Sequence, residues 1–174
     1  LIQSKTALDG RLALEVALNI LQIPSLQGLN LQVKWPNDLY SPQGKWGGIL
    51  VEPLSANQAI VGVGINLTTP PVENADQPIT SLHRLGLHQI ERLNLIAELY
   101  TAIQQAAQWF EHGSYNLAER FNHHAIWLNQ QVEFEHAQGK LQGRFQGISN
   151  DGAVIIKTDQ AQQFYQGRLR LAEI

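Results

Sequence analysis

The sequence contains no cysteine, and this absence limits the chemistry available to the protein. It excludes disulfides, thiol nucleophiles and cysteine-ligated zinc. Charge is also scarce: charged residues make up 16% of the 174 residues, and the net charge of -3 offers no basic surface for nucleic acid. We therefore expect no nucleic-acid partner, and we assign the chemistry to side chains other than thiols.

Long hydrophobic runs are missing too. No apolar run approaches the roughly 18 residues that a membrane-spanning helix needs, and the N-terminus lacks the pattern of a secretory signal. These absences predict a cytoplasmic protein with no membrane partner. Methionine is absent and the chain begins with Leu1, so we expect a fragment or a trimmed chain.

What is present predicts a folded chain with helices and strands. Hydrophobic residues make up 44% of the sequence, enough for a medium domain together with a small one. Apolar spacing predicts helices over residues 4–22, 91–112 and 115–125. Alternating polarity and turn residues predict strands over residues 31–35, 47–52 and 59–67, with a turn over 37–44 and a surface loop over 68–78.

The sequence pattern changes after Trp127, where it predicts short strands and no longer helices. Strands are predicted over residues 131–136, 141–148, 154–158 and 163–171, with Asp151 and Gly152 as the clearest hairpin signal. The predicted fold class is therefore α+β. A mixed, largely antiparallel sheet packed with helices occupies residues 1–126, and a small SH3-like β-barrel occupies residues 127–174.

Three nearby segments carry the residues suited to chemistry: KWPNDLY at 34–40, KWGGILVE at 45–52 and GVGINL at 62–67. They place two lysines and an Asn-Asp pair at strand ends, next to glycines that let a ligand approach the backbone. A lysine ammonium suits a phosphate or carboxylate, and an aspartate can recruit magnesium. Each element alone is more often a solvated lysine, a turn or a bulge. Together they predict a site for an anionic ligand.

The order, spacing and residue types of these three segments resemble the biotin protein ligases. The resemblance implies a class II synthetase-like catalytic domain, incomplete at its N-terminus, followed by the SH3-like domain. It also implies ATP-dependent formation of biotinyl-5′-AMP and transfer of biotin to a lysine of a biotin carboxyl carrier protein of the acetyl-CoA carboxylase type. The implied substrates are biotin and ATP, with Mg²⁺, no tightly bound organic cofactor and a homodimeric assembly.

The resemblance also assigns roles to residues of this sequence. Lys45 matches the catalytic lysine, which contacts both biotin and the phosphate of the adenylate. Asp38 matches a magnesium ligand, and Asn37 matches a residue that orients it near the phosphates. Three positions match the wall of the biotin pocket together with Lys45: Gly47, Gly48 and Leu50. Besides Asn37 and Asp38, four residues match nucleotide contacts: Gly64, Ile65, Asn66 and Arg170. The side-chain amide of Asn66 is expected to reach adenine. The hypothesis thus gathers an ammonium, an acid and a carboxamide at three strand ends.

The sequence departs from the family pattern in its first part. A serine/threonine-rich biotin-contacting segment, a glycine-arginine loop and an N-terminal helix-turn-helix are absent from these 174 residues. We therefore expect impaired activity for the chain by itself and no repressor activity. Two alternatives stay open: a non-catalytic ligase-like module that dimerises or binds a carrier protein, and a relative of the lipoate ligases.

The six histidines do not predict a metal site. Neither the adjacent His123 and His124 nor the pair His83 and His88 has the spacing of zinc ligands. We interpret them as surface or packing residues.

Overall fold

The computed structural model describes residues 1–70 and 75–172, which form two five-stranded antiparallel sheets and three α-helices. The first part of the chain contains β1 (Ile2–Gln3), α1 (Arg11–Ile20), β2 (Gln32–Lys34), β3 (Asp38–Ser41), β4 (Gly44–Ser55), β5 (Gln58–Ile65), α2 (Arg92–Glu111) and α3 (Leu117–His124). The second part contains β6 (Gln131–His136), β7 (Gly139–Ile148), β8 (Val154–Lys157), β9 (Ala161–Phe164) and β10 (Arg168–Leu171). None of the helices in these residues is long and apolar enough to cross a membrane.

The first sheet has the strand order β1-β5-β4-β3-β2, and the helices cover one of its faces. Helix α1 packs against β4 and against α2, and its apolar residues meet buried side chains of the sheet such as Leu39 and Ile49. The opposite face of β4 and β5 is open, since Leu50 is 56% exposed and Ile60 is 45% exposed. The sheet therefore offers one face to the core and one to ligands or partners.

The second sheet has the order β10-β6-β7-β8-β9 and packs directly on the first part of the chain. Its buried residues belong to the same apolar cluster as those of α1 and the first sheet. Across the junction, the Trp35 indole donates a hydrogen bond to the Gly152 carbonyl at 3.0 Å, and its ring lies 5.9 Å from that of Phe134. The core is continuous across the junction and therefore marks no boundary by itself. The domain boundary between residues 126 and 127 stays a prediction.

The predicted fold class is confirmed, as are the helices expected over residues 91–112 and 115–125. The first predicted helix is wrong in its beginning: α1 starts at Arg11, because the segment before it runs beside the β4–β5 hairpin. There the Ser4 and Leu8 amides donate to the carbonyls of Asn57 and Ala56 at 2.9 and 2.7 Å.

Two further sequence-based boundaries also need correction. Residues 37–44, predicted as a turn, contain the strand β3, which pairs with both β2 and β4. Residues 163–171, predicted as one strand, are split between β9 and β10. The centre of the predicted loop, residues 71–74, and the last two residues of the predicted barrel, 173–174, lie outside the described residues.

A buried ion pair joins the three helices. The carboxylate of Glu15 on α1 is fully buried and accepts two hydrogen bonds from Arg120 on α3, at 2.9 and 2.6 Å. The Arg120 guanidinium also lies 4.3 Å from the ring centre of Trp109 on α2. A buried carboxylate is tolerated only when it is paired, so Arg120 is the residue that permits Glu15 inside this helical layer.

Replacing Arg120 is therefore expected to destabilise the fold. Arg120→Ala leaves the Glu15 carboxylate buried without a partner, which costs about 3–5 kcal/mol of unfolding free energy. Chemical denaturation monitored by circular dichroism measures the loss. Arg92→Ala, at an exposed position at the start of α2, is the control and should change stability little. Equal effects of the two changes would contradict the assignment.

Two glycines of the first sheet provide a second, matched test of packing. A methyl group added at Gly47 would lie 2.5 Å from the Gly64 carbonyl oxygen, whereas one added at Gly62 has no neighbour closer than 3.9 Å. Gly47→Ala is expected to lower the unfolding free energy by about 1–3 kcal/mol through overpacking against backbone. Gly62→Ala should not destabilise the protein. Thermal denaturation of both variants checks this, and equal melting temperatures would contradict the close approach of β4 and β5.

Candidate functional site

A row of four residues crosses the open face of the first sheet. Lys34 on β2 is opposite Asp38 on β3, Asp38 is opposite Gly48 on β4, and Gly48 is opposite Gly64 on β5. Residues directly opposite one another in an antiparallel sheet share a face. The row therefore runs from two charged side chains to two positions without side chains.

A β-bulge brings Lys45 onto the same face. Leu39 is opposite Gly47, but Tyr40 is opposite Lys45, so Trp46 is left without a partner in β3. One extra residue in a strand reverses which face the preceding residues occupy. Lys45 thus lies on the face that carries Asp38, although regular alternation from Gly48 would send it to the other side.

Asp38 binds a lysine ammonium through each of its oxygens. Its Oδ2 lies 2.9 Å from Lys34 Nζ and its Oδ1 lies 2.5 Å from Lys45 Nζ. The Gln77 side-chain amide donates to Oδ2 at 3.3 Å, and its carbonyl oxygen accepts from Lys34. A magnesium ion at Asp38 would compete with both ammonium groups, so this arrangement does not fit the predicted role of Asp38 as a metal ligand.

The two lysines differ in their surroundings. The side chain of Lys34 is 9% exposed and that of Lys45 is 32% exposed. The Lys34 ammonium lies 5.3 Å from the ring centre of Tyr40 and 5.7 Å from that of Trp127, distances typical of cation–π contacts. Lys34 is thus held within the protein, while Lys45 reaches toward solvent.

Burial and the neighbouring opposite charges have opposing effects on the pKa values of Lys34 and Asp38, whereas burial and charge act together on the pKa of Tyr40. Burial lowers the pKa of Lys34 below its ordinary value, and Asp38 offsets only part of that effect. Burial by itself would raise the pKa of Asp38, but the two ammonium groups outweigh it and hold the pKa below its usual range. Burial, with the charge of Asp38 adding to it, raises the pKa of Tyr40 to about 12. At neutral pH, Asp38 is therefore ionised and Tyr40 is protonated.

A cleft of about 370 Å³ opens beside this cluster, and both parts of the chain line it. The first part contributes the 34–38 segment, Lys45, Asp76 and Gln77, and the second part contributes residues 167–170. Arg170 lies 3.2 Å from Asp76 and Arg168 lies 4.0 Å from the same carboxylate. Four of the predicted site residues thus line one cleft: Asn37, Asp38, Lys45 and Arg170.

The other predicted site residues form the neighbouring strands. Gly48 and Gly64 lie in the open row, and the next row pairs Leu50 with Gly62, which gives a shallow floor with few side chains. A methyl group at Gly48 would lie 3.4 Å from Lys45 Nζ, so the ammonium lies at the edge of this floor. Gly47 and Ile65 are also opposite one another, but on the face that packs against the core.

The two predicted asparagines have structural hydrogen bonds. The side-chain amide of Asn37 donates to the main-chain carbonyl of Ile49 at 2.7 Å, and the main-chain carbonyl of Asn37 accepts from the Ile49 N–H at 2.9 Å. Asn66 donates through its side chain to the Thr80 carbonyl at 3.1 Å. Asn66 is not among the described residues that line the cleft, so its contact with adenine stays a prediction.

The predicted site residues leave out four polar residues of the cleft: Lys34, Asp76, Gln77 and Arg168. Lys34 was counted among the lysines at strand ends but was given no role. Lys34 belongs to the first motif, and its position opposite the Asn-Asp turn was a usable signal. Asp76 and Gln77 lie in a loop, where pattern gives no signal of what a side chain contacts. The carboxamide beside the acid is therefore that of Gln77, in place of the expected Asn66. Within the described ranges, no group of three or more histidine, aspartate or glutamate residues is arranged to hold a metal ion.

Comparison with known families matches both parts of the chain. Residues 4–66 match the model of the biotin/lipoate A/B protein ligase family, and residues 127–169 match that of the biotin protein ligase C terminal domain. Among curated proteins, the bifunctional ligase/repressor BirA of Escherichia coli is 31% identical over 136 residues, which cover 74% of this chain and 42% of the relative. The biotin–[acetyl-CoA-carboxylase] ligase of Mycobacterium tuberculosis is 29% identical over 125 residues, covering 71% of this chain and 46% of the relative.

Solved structures show the same fold. A mutant biotin protein ligase from Aquifex aeolicus in complex with biotin superposes with a TM-score of 0.80 at 23% identity, covering 94% of this chain and 72% of that one. The enzyme from the same organism in complex with biotin and ATP gives a TM-score of 0.75 with the same identity and coverage. The chain spans about half the length of the curated relatives it matches. With both family models matched in order along one continuous fold, the chain belongs to the biotin protein ligase family.

Proposed function

We propose that this chain is the part of a biotin protein ligase that forms biotinyl-5′-AMP from biotin and ATP. It would then transfer biotin to a lysine of a carrier protein of the acetyl-CoA carboxylase type. The observation that carries the proposal is the cleft in which Lys45, held by Asp38, lines the wall together with Arg170 at the edge of a glycine floor. This combination suits a ligand that is apolar at one end and anionic at the other.

The first step joins two anions and needs a fixed positive charge. A biotin carboxylate oxygen bonds to the α-phosphorus of ATP, and the bond to pyrophosphate breaks. Negative charge concentrates where carboxylate and phosphate meet, and a preorganised ammonium stabilises that charge without moving. Lys45 meets the requirement because Asp38 fixes its Nζ at 2.5 Å while the side chain stays partly exposed.

The second step uses the same position. The amine of the carrier lysine bonds to the acyl carbon, loses a proton, and AMP leaves. Lys45 beside the acyl-phosphate junction stabilises the departing AMP. Gly48 and Gly64 leave room for the acyl chain above the sheet, and Arg170 supplies a second cation for the nucleotide. Magnesium stays a prediction, and because Asp38 is engaged by two lysines, no step here depends on the metal.

The matched C-terminal model favours biotin over lipoate. The model for residues 4–66 covers both classes of ligase, whereas that for residues 127–169 describes biotin protein ligases. The cleft itself includes residues 167–170 of the second sheet, so this part of the chain contributes to the proposed site. A lipoate ligase is therefore the weaker alternative.

A homodimer and a cytoplasmic location are also proposed. The open face of the first sheet leaves Leu54 on β4 and Ile60 on β5 exposed, which supports association through this sheet. Sedimentation velocity over a range of protein concentrations tests the dimer. A single monomeric species at every concentration would contradict it.

Replacing Lys45 is expected to remove adenylate formation and leave the fold intact. In the protein that carries this chain, Lys45→Ala should lower biotin-dependent exchange between ATP and pyrophosphate by about a hundredfold or more. The melting temperature should change little, because Lys34 still pairs with Asp38. Isotope exchange and differential scanning calorimetry measure the two quantities.

Lys157→Ala, at an exposed position on β8, is the matched control and should retain full exchange. A Lys45→Ala protein with normal exchange would contradict the assignment of Lys45. A folded wild-type protein with no biotin-dependent exchange would support the non-catalytic alternative instead.

A further inference from the structure

We propose that Lys34 is a positioning residue that neutralises Asp38, so that Asp38 orients Lys45 without cancelling the positive charge that Lys45 presents to the phosphate. The inference rests on the proposed function, which supplies the anionic ligand. It assigns Asp38 to an anchoring role in place of the metal ligation implied by the resemblance.

The first support is the division of contacts at Asp38. Oδ2 pairs with Lys34 and accepts from Gln77, while Oδ1 pairs, within the described residues, with Lys45 alone. Two cations and one anion leave the cluster with one net positive charge. An isolated Lys45–Asp38 pair would be neutral, and a neutral pair attracts a phosphate far more weakly than a free ammonium does.

The second support is that Lys34 is poorly placed to bind a ligand itself. Its ammonium lies near the rings of Tyr40 and Trp127 and is already paired with Asp38 and Gln77. Lys45 contacts only Asp38 among the charged groups paired in the described residues, and it is the more exposed of the two. Both lysines line the cleft, but Lys34 is the buried one and its ammonium has two partners, whereas Lys45 is more exposed and has one.

The third support is the pair of aromatic rings near the Lys34 ammonium, which come from different parts of the chain. Tyr40 is on β3, and Trp127 follows α3 at the point where the second part of the chain begins. The two rings lie 5.4 Å apart in an edge-to-face arrangement. The Lys34 ammonium lies 5.3 Å and 5.7 Å from the two ring centres, so both rings attract the charge that pairs with Asp38. The second part of the chain therefore contributes, through Trp127, to the surroundings of Lys34.

The test is a charge-rescue experiment with inorganic pyrophosphate as the probe, without magnesium, measured by isothermal titration calorimetry. Lys34→Met keeps the length of the side chain but makes the cluster neutral, and it should weaken binding by roughly tenfold, or about 1.4 kcal/mol. Lys34→Met combined with Asp38→Asn returns the net charge to one positive, and it should recover most of the lost affinity. Lys157→Met removes the same charge elsewhere on the surface and is the control.

Each outcome decides the question. Weaker binding by Lys34→Met followed by recovery in the double variant supports neutralisation. Weaker binding without recovery would overturn neutralisation, because the cluster of the double variant has the same net charge as that of the wild type, and an effect no larger than that of Lys157→Met would overturn it as well. Melting curves identify variants that fail to fold, and Lys34→Arg, which retains the charge, should bind pyrophosphate nearly as well as the wild type.

The proposal and the proposed function fail in different ways. Intact pyrophosphate binding and charge rescue without biotin-dependent exchange would contradict the ligase activity alone. Exchange by the wild type with an unchanged Lys34→Met variant would contradict the positioning role alone. A wild-type chain that does not bind pyrophosphate would contradict the anion-binding cleft, and with it both the ligase activity and the positioning role of Lys34.

Discussion

The carboxylate of Asp38 lies between two lysine ammonium groups, and the candidate site depends on this arrangement. Without Lys34, the acid would cancel the charge of Lys45, and without Asp38, two ammonium groups would repel one another in a partly buried region. A buried charge is stable only when a partner is in place, so the buried Lys34 and Asp38 depend on one another, and the more exposed Lys45 depends on Asp38 for its position. The backbone that holds them is correspondingly specific: a register that sets Lys34 opposite Asp38, and a bulge that turns Lys45 to the same face.

The second sheet completes the site as well as the fold. Trp127 lies near the Lys34 ammonium, and Trp35 donates a hydrogen bond to the Gly152 carbonyl. Arg170 and Arg168 reach Asp76 across the cleft. The apolar core runs through this junction without a break, so the relative position of the two sheets is fixed by packing.

Much of the architecture was predictable because it depends on local patterns. Helical periodicity identified α2 and α3, and alternation identified β4 and β5. The beginning of α1 was misplaced because Leu8 fits the helical spacing, while its segment instead bonds along the β4–β5 hairpin. Strand β3 was missed because Asn37, Asp38 and Ser41 are turn residues, and the strand between the turns has only four residues.

The sequence predicted which residues belong to the site but not how they contact one another. The motifs identified Lys45 and Asp38, because their order and spacing resemble a known family, and the resemblance of the C-terminal part of the chain identified Arg170. The pairing of Lys45 with Asp38 depends on a bulge at Trp46, and a bulge of one residue leaves no trace in alternation. The contribution of Gln77 comes from a loop distant in sequence, and the packing of Lys34 depends on Trp127, which lies 93 positions further along the chain. Contacts of this range are set by the tertiary fold.

The central claim is that Lys45, ordered by Asp38, contacts the phosphate of an acyl-adenylate. A crystal structure of the protein with a non-hydrolysable analogue of biotinyl-5′-AMP tests it most directly. We expect the analogue's phosphate within hydrogen-bonding distance of Lys45 Nζ, the biotin end above Gly48 and Gly64, and Lys34 still paired with Asp38. An analogue bound elsewhere, or a Lys45 side chain turned away from the phosphate, would contradict it.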